Sequence, residues 1–311
     1  MRNADTLGAV GRAKGPWRWA SRLLHSRRAN SKAQAKQNIG AHYDLGNDFY
    51  AQWLDPTMSY SSALWDGLAP DAPLAQAQDN KVDALARRLM LKPGDRVLEI
   101  GCGWGYLARR FARCHGASVT GISLSDEQLA WANRELGDAP LERVEYRHQD
   151  YRDVAETFDA VASVEMVEAV GREYWPTWFD CIARSLKPGG RAAVQYIWMR
   201  DDLFEAYARS ADFIQTYVFP GGMLIKSSEF EALAAARGLS WEDRSDFGLD
   251  YAETLRLWRK RFDAALEQGR LPAGFDQQFV RLWRYYLMYC EGGFRGGAIG
   301  VSQVTMVKRA G

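Results

Sequence analysis

The sequence predicts an α/β protein built on a doubly wound, mostly parallel sheet with helices on both faces. Two observations carry that expectation. From Asp95 to Ile197 short hydrophobic runs alternate with amphipathic runs of helical period, the pattern of repeated β-α-β units. The first of these runs ends in VLEIGCGWG, Val97 to Gly105, an acid and three glycines at a strand-to-helix junction.

Taken in order, LAQAQDNKVDALARRLML reads as a helix that stops before Lys92-Pro93-Gly94, because proline and glycine punctuate there. Asp95–Ile100 follows as a buried strand, Tyr106–Cys114 as a helix and Ala117–Ile122 as a second strand. The alternation continues through LSDEQLAWANREL (helix), RVEYRH and FDAVASV (strands), the amphipathic run Tyr174–Ser185 and RAAVQYI (strand). Beyond Arg200 the rhythm breaks. FEAYARSADFIQTYVF, TLRLWRKRFDAAL and FVRLWRYYLMYC read as aromatic-rich helices, and only SWEDRSDFG and GVSQVTMVKR look like further strands. A helical insertion after the fifth strand, about residues 200–290, is therefore expected to form a lid over the carboxyl ends of the sheet.

With 311 residues, 47% of them hydrophobic and 25% charged, the composition is that of one large globular domain or two small ones. Cys102, Cys114, Cys181 and Cys290 have no metal-ligand spacing and no signal-peptide pattern is visible, which implies free thiols, no metal and a cytoplasmic setting. No apolar run approaches the roughly 18 residues of a membrane span, so contact with a bilayer would be peripheral. Residues 1–40 carry nine Lys or Arg against one acid, Asp5, a local net charge of +8. Interleaved with Trp17, Trp19, Leu23 and Leu24, this basic arm (residues 1–38) suits an anionic lipid surface at the inner face of a membrane; its alternative is a solvated, flexible tail. Nucleic acid would be drawn to the same charge, but no base-reading motif follows, so no nucleic-acid partner is expected.

Glycines at Gly101, Gly103 and Gly105 let the backbone turn sharply and approach a ligand at a helix N-terminus. Their spacing is G-x-G-x-G with Glu99 before the first, where a dinucleotide fold would show G-x-G-x-x-G. With the Lys-Pro-Gly-Gly turn at Lys187–Gly190, this resembles the Rossmann-like class I methyltransferases that use S-adenosylmethionine, which implies a seven-stranded sheet. The stretches HYDLGNDFYAQWLDPTMSYS, VEMVEAVG, DFIQTYVFPGG, DYAETLRLWRKRF and YYLMYCEGGFR narrow the resemblance to the cyclopropane fatty acid synthases, over about Ile39 to Val307. That family adds a methylene from S-adenosylmethionine across the double bond of an unsaturated acyl chain in a phospholipid. Residues 39–311 are accordingly expected to form the methyltransferase domain, with an unsaturated phospholipid at a membrane surface as partner and room for a homodimer.

By the same resemblance, Tyr60 and Ser61 reach the methionine end of the cofactor, Gly101, Gly103 and Gly105 lie beneath it, Ser123, Leu124 and Gln128 run along its ribose and adenosine side, and Asp150 and Tyr151 flank the adenine. Asp150 follows a strand and can accept an amide hydrogen bond, or simply cap the next turn. The family also holds a bicarbonate ion, at positions matching Ser62, Glu168, Gln195, Ile197 and Tyr251. Ser62 replaces the usual cysteine, and Gln195 stands where many members have histidine and plant relatives have glutamine. Glu168 read without the resemblance is a surface helix acid.

An alkene is a weak nucleophile, so a site for this chemistry must align it with the sulfonium methyl and exclude water. Tyr196, Trp198, Phe213, Tyr217, Phe219 and Tyr251 are candidates to face the cationic intermediate, or to be core. Bicarbonate held by Glu168 and Tyr251 would take the proton. Loss of a proton from the added carbon closes a cyclopropane; loss from the chain leaves a methyl-branched alkene. A small-amine N-methyltransferase and a catalytically silent lipid-binding protein are the other readings.

Overall fold

A computed structural model describes residues 45–69, 71–136, 143–209 and 212–309; the basic arm lies outside them. Strands β1 (Arg96–Ile100), β2 (Ser118–Ser123), β3 (Val144–His148), β4 (Phe158–Val164) and β5 (Leu186–Met199) pair in parallel in the order β3-β2-β1-β4-β5. The sheet continues through β8 (Ile299–Lys308), antiparallel to both β5 and β7 (Leu239–Asp246), and a two-residue strand, β6 (Ile225–Lys226), pairs with the end of β5. Seven strands thus form the main path, as expected, and β6 is an addition.

Helices alternate with the parallel strands. Among those that bear on the site, α1 (Asn47–Ala51) and α2 (Leu74–Leu89) precede β1; α3 (Tyr106–His115) and α4 (Asp126–Arg134) follow β1 and β2; α5 (Val167–Val170) and α6 (Trp175–Ser185) follow β4. The Lys187–Gly190 turn is a bulge at the start of β5: Phe158 pairs with Leu186 and Ala160 with Arg191, so the residues between loop out of register, with Gly189 at φ 75°.

The expected single insertion is two. Helices α7 (Asp201–Ala208) and α8 (Phe213–Tyr217) lie between β5 and β6; α9 (Ser227–Ala235) and β7 resume the sheet; then α10 (Gly248–Glu267) and α11 (Gln277–Arg295) intervene before β8. The reason is visible in burial. Phe230 and Ala234 of α9 and Leu239 of β7 join the main core with Trp178 and Tyr196, whereas α10 and α11 pack on a separate, aromatic cluster. That cluster closes on α1: Trp53 packs edge-on to Trp258 at 5.6 Å and Phe49 to Trp283 at 5.2 Å, while Arg261 donates to the carbonyls of Trp53 and Leu54 at 3.0 and 2.6 Å. The aromatic segment upstream of the sheet is therefore the inner lining of the lid, and the chain from Met58 to Ala63 is held between lid and sheet.

Candidate active site

A cavity opens at the carboxyl ends of β1, β2 and β4, where open parallel sheets bind ligands. Of the residues expected around the cofactor, Tyr60, Ser61, Glu99, Gly101, Gly103, Ser123, Leu124, Gln128, Asp150 and Tyr151 all line it. Gly105 does not.

The three glycines serve different ends. Gly101 (φ 84°) turns the chain so that its own N–H and that of Cys102 both donate to the Ile122 carbonyl at 3.0 Å, and a Cβ there would meet Met166 Cγ at 2.9 Å. Gly103 (φ 51°) has, among the described residues, only Gln128 Nε2, at 3.9 Å, near its missing Cβ, and it lines the cavity. Gly105 (φ 78°) is reserved for packing, since a Cβ would strike Tyr146 Oη at 2.3 Å and the Tyr146 hydroxyl donates to the Gly105 carbonyl at 2.5 Å.

On the far wall, Ser125 caps α4 by accepting from the Gln128 N–H at 3.2 Å, and the Ser123 hydroxyl reaches Gln128 Oε1 at 3.4 Å, so the Gln128 side chain is fixed at the cavity rim. Asp150 caps the turn at Tyr151 through the Arg152 N–H at 2.9 Å and takes both arms of the Arg152 guanidinium at 2.8 and 2.6 Å. The capping role and a place in the cavity wall coexist. Glu99 is 3% exposed and its Oε2 has no hydrogen-bond partner among the described residues; burial pushes its pKa up to about 8. A ligand carrying an ammonium group, such as the amino-acid end of S-adenosylmethionine, fits a cavity whose wall holds the Glu99 carboxyl, since a cation there would favour its ionised form.

The residues expected to hold bicarbonate converge, but on a side chain that sequence reasoning missed. Glu165, at the tip of β4, sits in a left-handed backbone conformation (φ 49°) that its N–H stabilises by donating to the Gln195 carbonyl at 2.7 Å. Its Oε1 accepts from the Ser62 N–H at 2.9 Å and from Gln195 Nε2 at 2.8 Å; its Oε2 accepts from the Tyr251 hydroxyl at 2.6 Å. Three of the five groups assigned to the ion thus bind the Glu165 carboxylate, which itself lines the cavity. Bicarbonate does not fit these groups as they stand, because their donors are already spent on Glu165. Burial raises the Glu165 pKa, and the hydrogen bonds from Tyr251, Gln195 and Ser62 oppose the rise. Strain of order 1 kcal/mol or more in a non-glycine residue at such a φ is the kind retained at functional positions.

Glu168 and Ile197 form a second, separate pair: the Ile197 N–H donates to Glu168 Oε1, while the buried Oε2 has no partner among the described residues. Burial first, then the neighbouring Glu165 charge, pushes Glu168 up to about 8, so it is protonated at neutral pH. It is not a surface helix acid.

Lys81 was also missed. It is 2% exposed, donates to Ser61 Oγ at 2.8 Å and is faced by Glu165, Asp55 and Glu99, while burial lowers its pKa to about 8. Its signal was present in LAQAQDNKVDAL, where Lys81 falls on the apolar stripe with Ala77 and Leu85. The signal for Glu165 was its place directly after a strand, three residues before Glu168.

Of the candidate aromatics, Tyr251 is in the site and Phe219 lies 6.4 Å from the Tyr60 ring. Tyr196 stacks on Phe230 at 4.1 Å in the core, Trp198 donates to Ser302 Oγ at 2.6 Å, Phe213 packs edge-on to Tyr285 at 4.7 Å, and Tyr217 is exposed on α8.

The family model of the mycolic acid cyclopropane synthetases matches residues 30–304. The chain belongs to that family. Its relatives include the tuberculostearic acid methyltransferase of Mycobacterium tuberculosis, 42% identical over 90% of this chain and 66% of that protein. The cyclopropane-fatty-acyl-phospholipid synthase of Escherichia coli K12 is 38% identical over 85% of this chain and, again, 66% of the relative. The chain therefore spans just under two thirds of the length of these curated relatives. Among solved structures, a mycolic acid cyclopropane synthase complexed with SAH and CTAB superposes with a TM-score of 0.82 at 29% identity, covering 88% of this chain and 98% of the other. The fold and the glycine loop are those of the S-adenosylmethionine-dependent methyltransferases.

Proposed function

We propose that this chain transfers a one-carbon unit from S-adenosylmethionine to the double bond of an unsaturated acyl chain in a phospholipid, closing a cyclopropane ring. The observation that supports it most is the Glu165 carboxylate, an unprotonated-capable base fixed by three donors at the wall of the cofactor cavity. S-adenosylmethionine supplies an electrophilic methyl group. Tyr60 and Ser61 flank its methionine end, with Glu99 toward the amino group and Gly103 beneath. The aromatic lid excludes water, which would otherwise capture the cation formed when the alkene attacks the methyl carbon.

Glu165, in place of a bound bicarbonate, accepts the proton that must then leave. Its carboxylate is anchored at both oxygens, and Lys81 supplies positive charge nearby. Protonated Glu168 adds no competing charge.

A second reading, methyl branching in place of ring closure, is favoured by one observation: the relative at 42% identity is named a tuberculostearic acid methyltransferase. Both readings are tested by measuring turnover of the methyl donor with unsaturated phospholipid, saturated phospholipid and simple amines in parallel. Turnover with the unsaturated lipid alone is expected; turnover with amines, or with none of the three, would overturn the proposal.

A further inference from the structure

We propose that Gln303 and Arg88 are positioning residues that fix the polarity of a two-amide relay ending on Glu165. This deepens the reading of Glu165 as proton acceptor and rests on it.

Gln195 and Gln303 are direct register partners on the antiparallel pair β5 and β8, 0% and 1% exposed. An amide side chain can present either its oxygen or its nitrogen to a neighbour, and a buried carboxylate is stabilised by only one of the two. Here every choice is forced. Arg88 carries donors only, and its Nε donates to Gln303 Oε1 at 3.2 Å. Gln303 Nε2 then faces two acceptors, the Lys81 carbonyl at 3.2 Å and Gln195 Oε1 at 3.1 Å. With its oxygen so engaged, Gln195 turns its nitrogen to the Ser62 carbonyl at 3.2 Å and to Glu165 Oε1 at 2.8 Å. Both hydrogens of each amide are used and each oxygen accepts.

The relay thus begins on a cation and ends on the carboxylate. Arg88 is itself held by Asp243 at 2.5 Å and Ser245 Oγ at 2.6 Å, outside the cavity. The other groups facing Glu165 are Tyr251 from α10, which donates to it, Lys81 from α2, whose charge favours its ionised form, and Glu168 from α5, kept neutral by burial. None of these constrains the Gln195 amide. Without Gln303 the buried Gln195 oxygen loses its donor, and the amide is held in register only by the Ser62 carbonyl and Glu165 itself.

The test reads the protonation of Glu165 directly and needs no lipid turnover, so it stands apart from the test of the function. In the full-length protein, the carboxyl C=O infrared band of Glu165 is isolated by subtracting the spectrum of Glu165→Gln and followed against pH. Gln303→Leu removes the anchor and should move the midpoint up by about one pH unit, the worth of one hydrogen bond to a charged group. Gln303→Glu, which keeps size and shape while reversing the polarity of the contact, should move it further, measured against Gln303→Glu combined with Glu165→Gln. It also carries the test if the leucine variant does not fold. Midpoints equal to wild type in the folded variants would overturn the relay.

Discussion

The hydroxyl of Tyr251 donates to Oε2 of Glu165 at 2.6 Å, joining the lid helix α10 to the tip of β4 across the cofactor cavity. One contact therefore does two things: it closes the lid onto the sheet and stabilises the ionised form of the group assigned to accept the proton. Losing it should cost about 1.5–3 kcal/mol of that stabilisation. Tyr251→Phe is expected to shift the acid limb of the rate profile upward by about one to two pH units with S-adenosylmethionine affinity retained. A profile superimposable on wild type would dissociate Tyr251 from the base.

Glu165→Gln keeps the shape and removes the base. Turnover should fall about 10²–10⁴-fold while calorimetric affinity for S-adenosylmethionine stays within a few-fold. Wild-type turnover should not respond to added or depleted bicarbonate, and a bicarbonate requirement would restore the ion as proton acceptor.

The glycine loop yields a paired prediction. Gly103→Val places a side chain in ligand space and should abolish S-adenosylmethionine binding in a folded protein. Gly105→Ala strikes Tyr146, so its loss should appear first as a lowered Tm. Normal cofactor affinity in Gly103→Val would remove this loop from the site.

Most of the sheet was legible because period and punctuation agree: β4 matches FDAVASV at both ends, and Gly101 and Gly103 line the cavity their spacing implied. In the expected insertion of about residues 200–290, β7 was legible as SWEDRSDFG, whereas α9 before it was not picked out as a return of the chain to the sheet. Glu165 was hidden for a different reason. Its role comes from donors on four separate segments, at Ser62, Gln195, Tyr251 and, by charge, Lys81, and no linear pattern records that convergence. The resemblance identified three of the donors, and in the structure they meet the Glu165 carboxylate.

Glu168 carries a stability prediction with a definite sign. Its pKa is raised from an ordinary 4.5 to about 8, so the unfolded chain binds fewer protons than the folded one between those values and stability falls as pH rises through that window. Glu168→Gln still accepts from Ile197 but never ionises. It should be close to wild type near pH 4.5 and more stable by up to about 4–5 kcal/mol at pH 8 and above, seen as a Tm difference that grows with pH. A difference independent of pH would place the Glu168 carboxyl in contact with water.

Outside the described residues, the net charge of +8 in residues 1–40 predicts salt-sensitive binding to anionic vesicles. Deleting residues 1–36 should weaken that binding and leave cofactor affinity intact; unchanged vesicle binding would retire the arm as a membrane contact.

The central claim, that the methyl carbon is delivered to an acyl double bond and then loses a proton to close a ring, is tested most directly with S-adenosylmethionine bearing a fully deuterated methyl group and an unsaturated phospholipid, read by mass spectrometry of the acyl chains. The account predicts an acyl product that has gained the labelled carbon and kept two of its three deuteria. Retention of all three would contradict ring closure and establish branching, and acyl chains free of label would contradict the account as a whole.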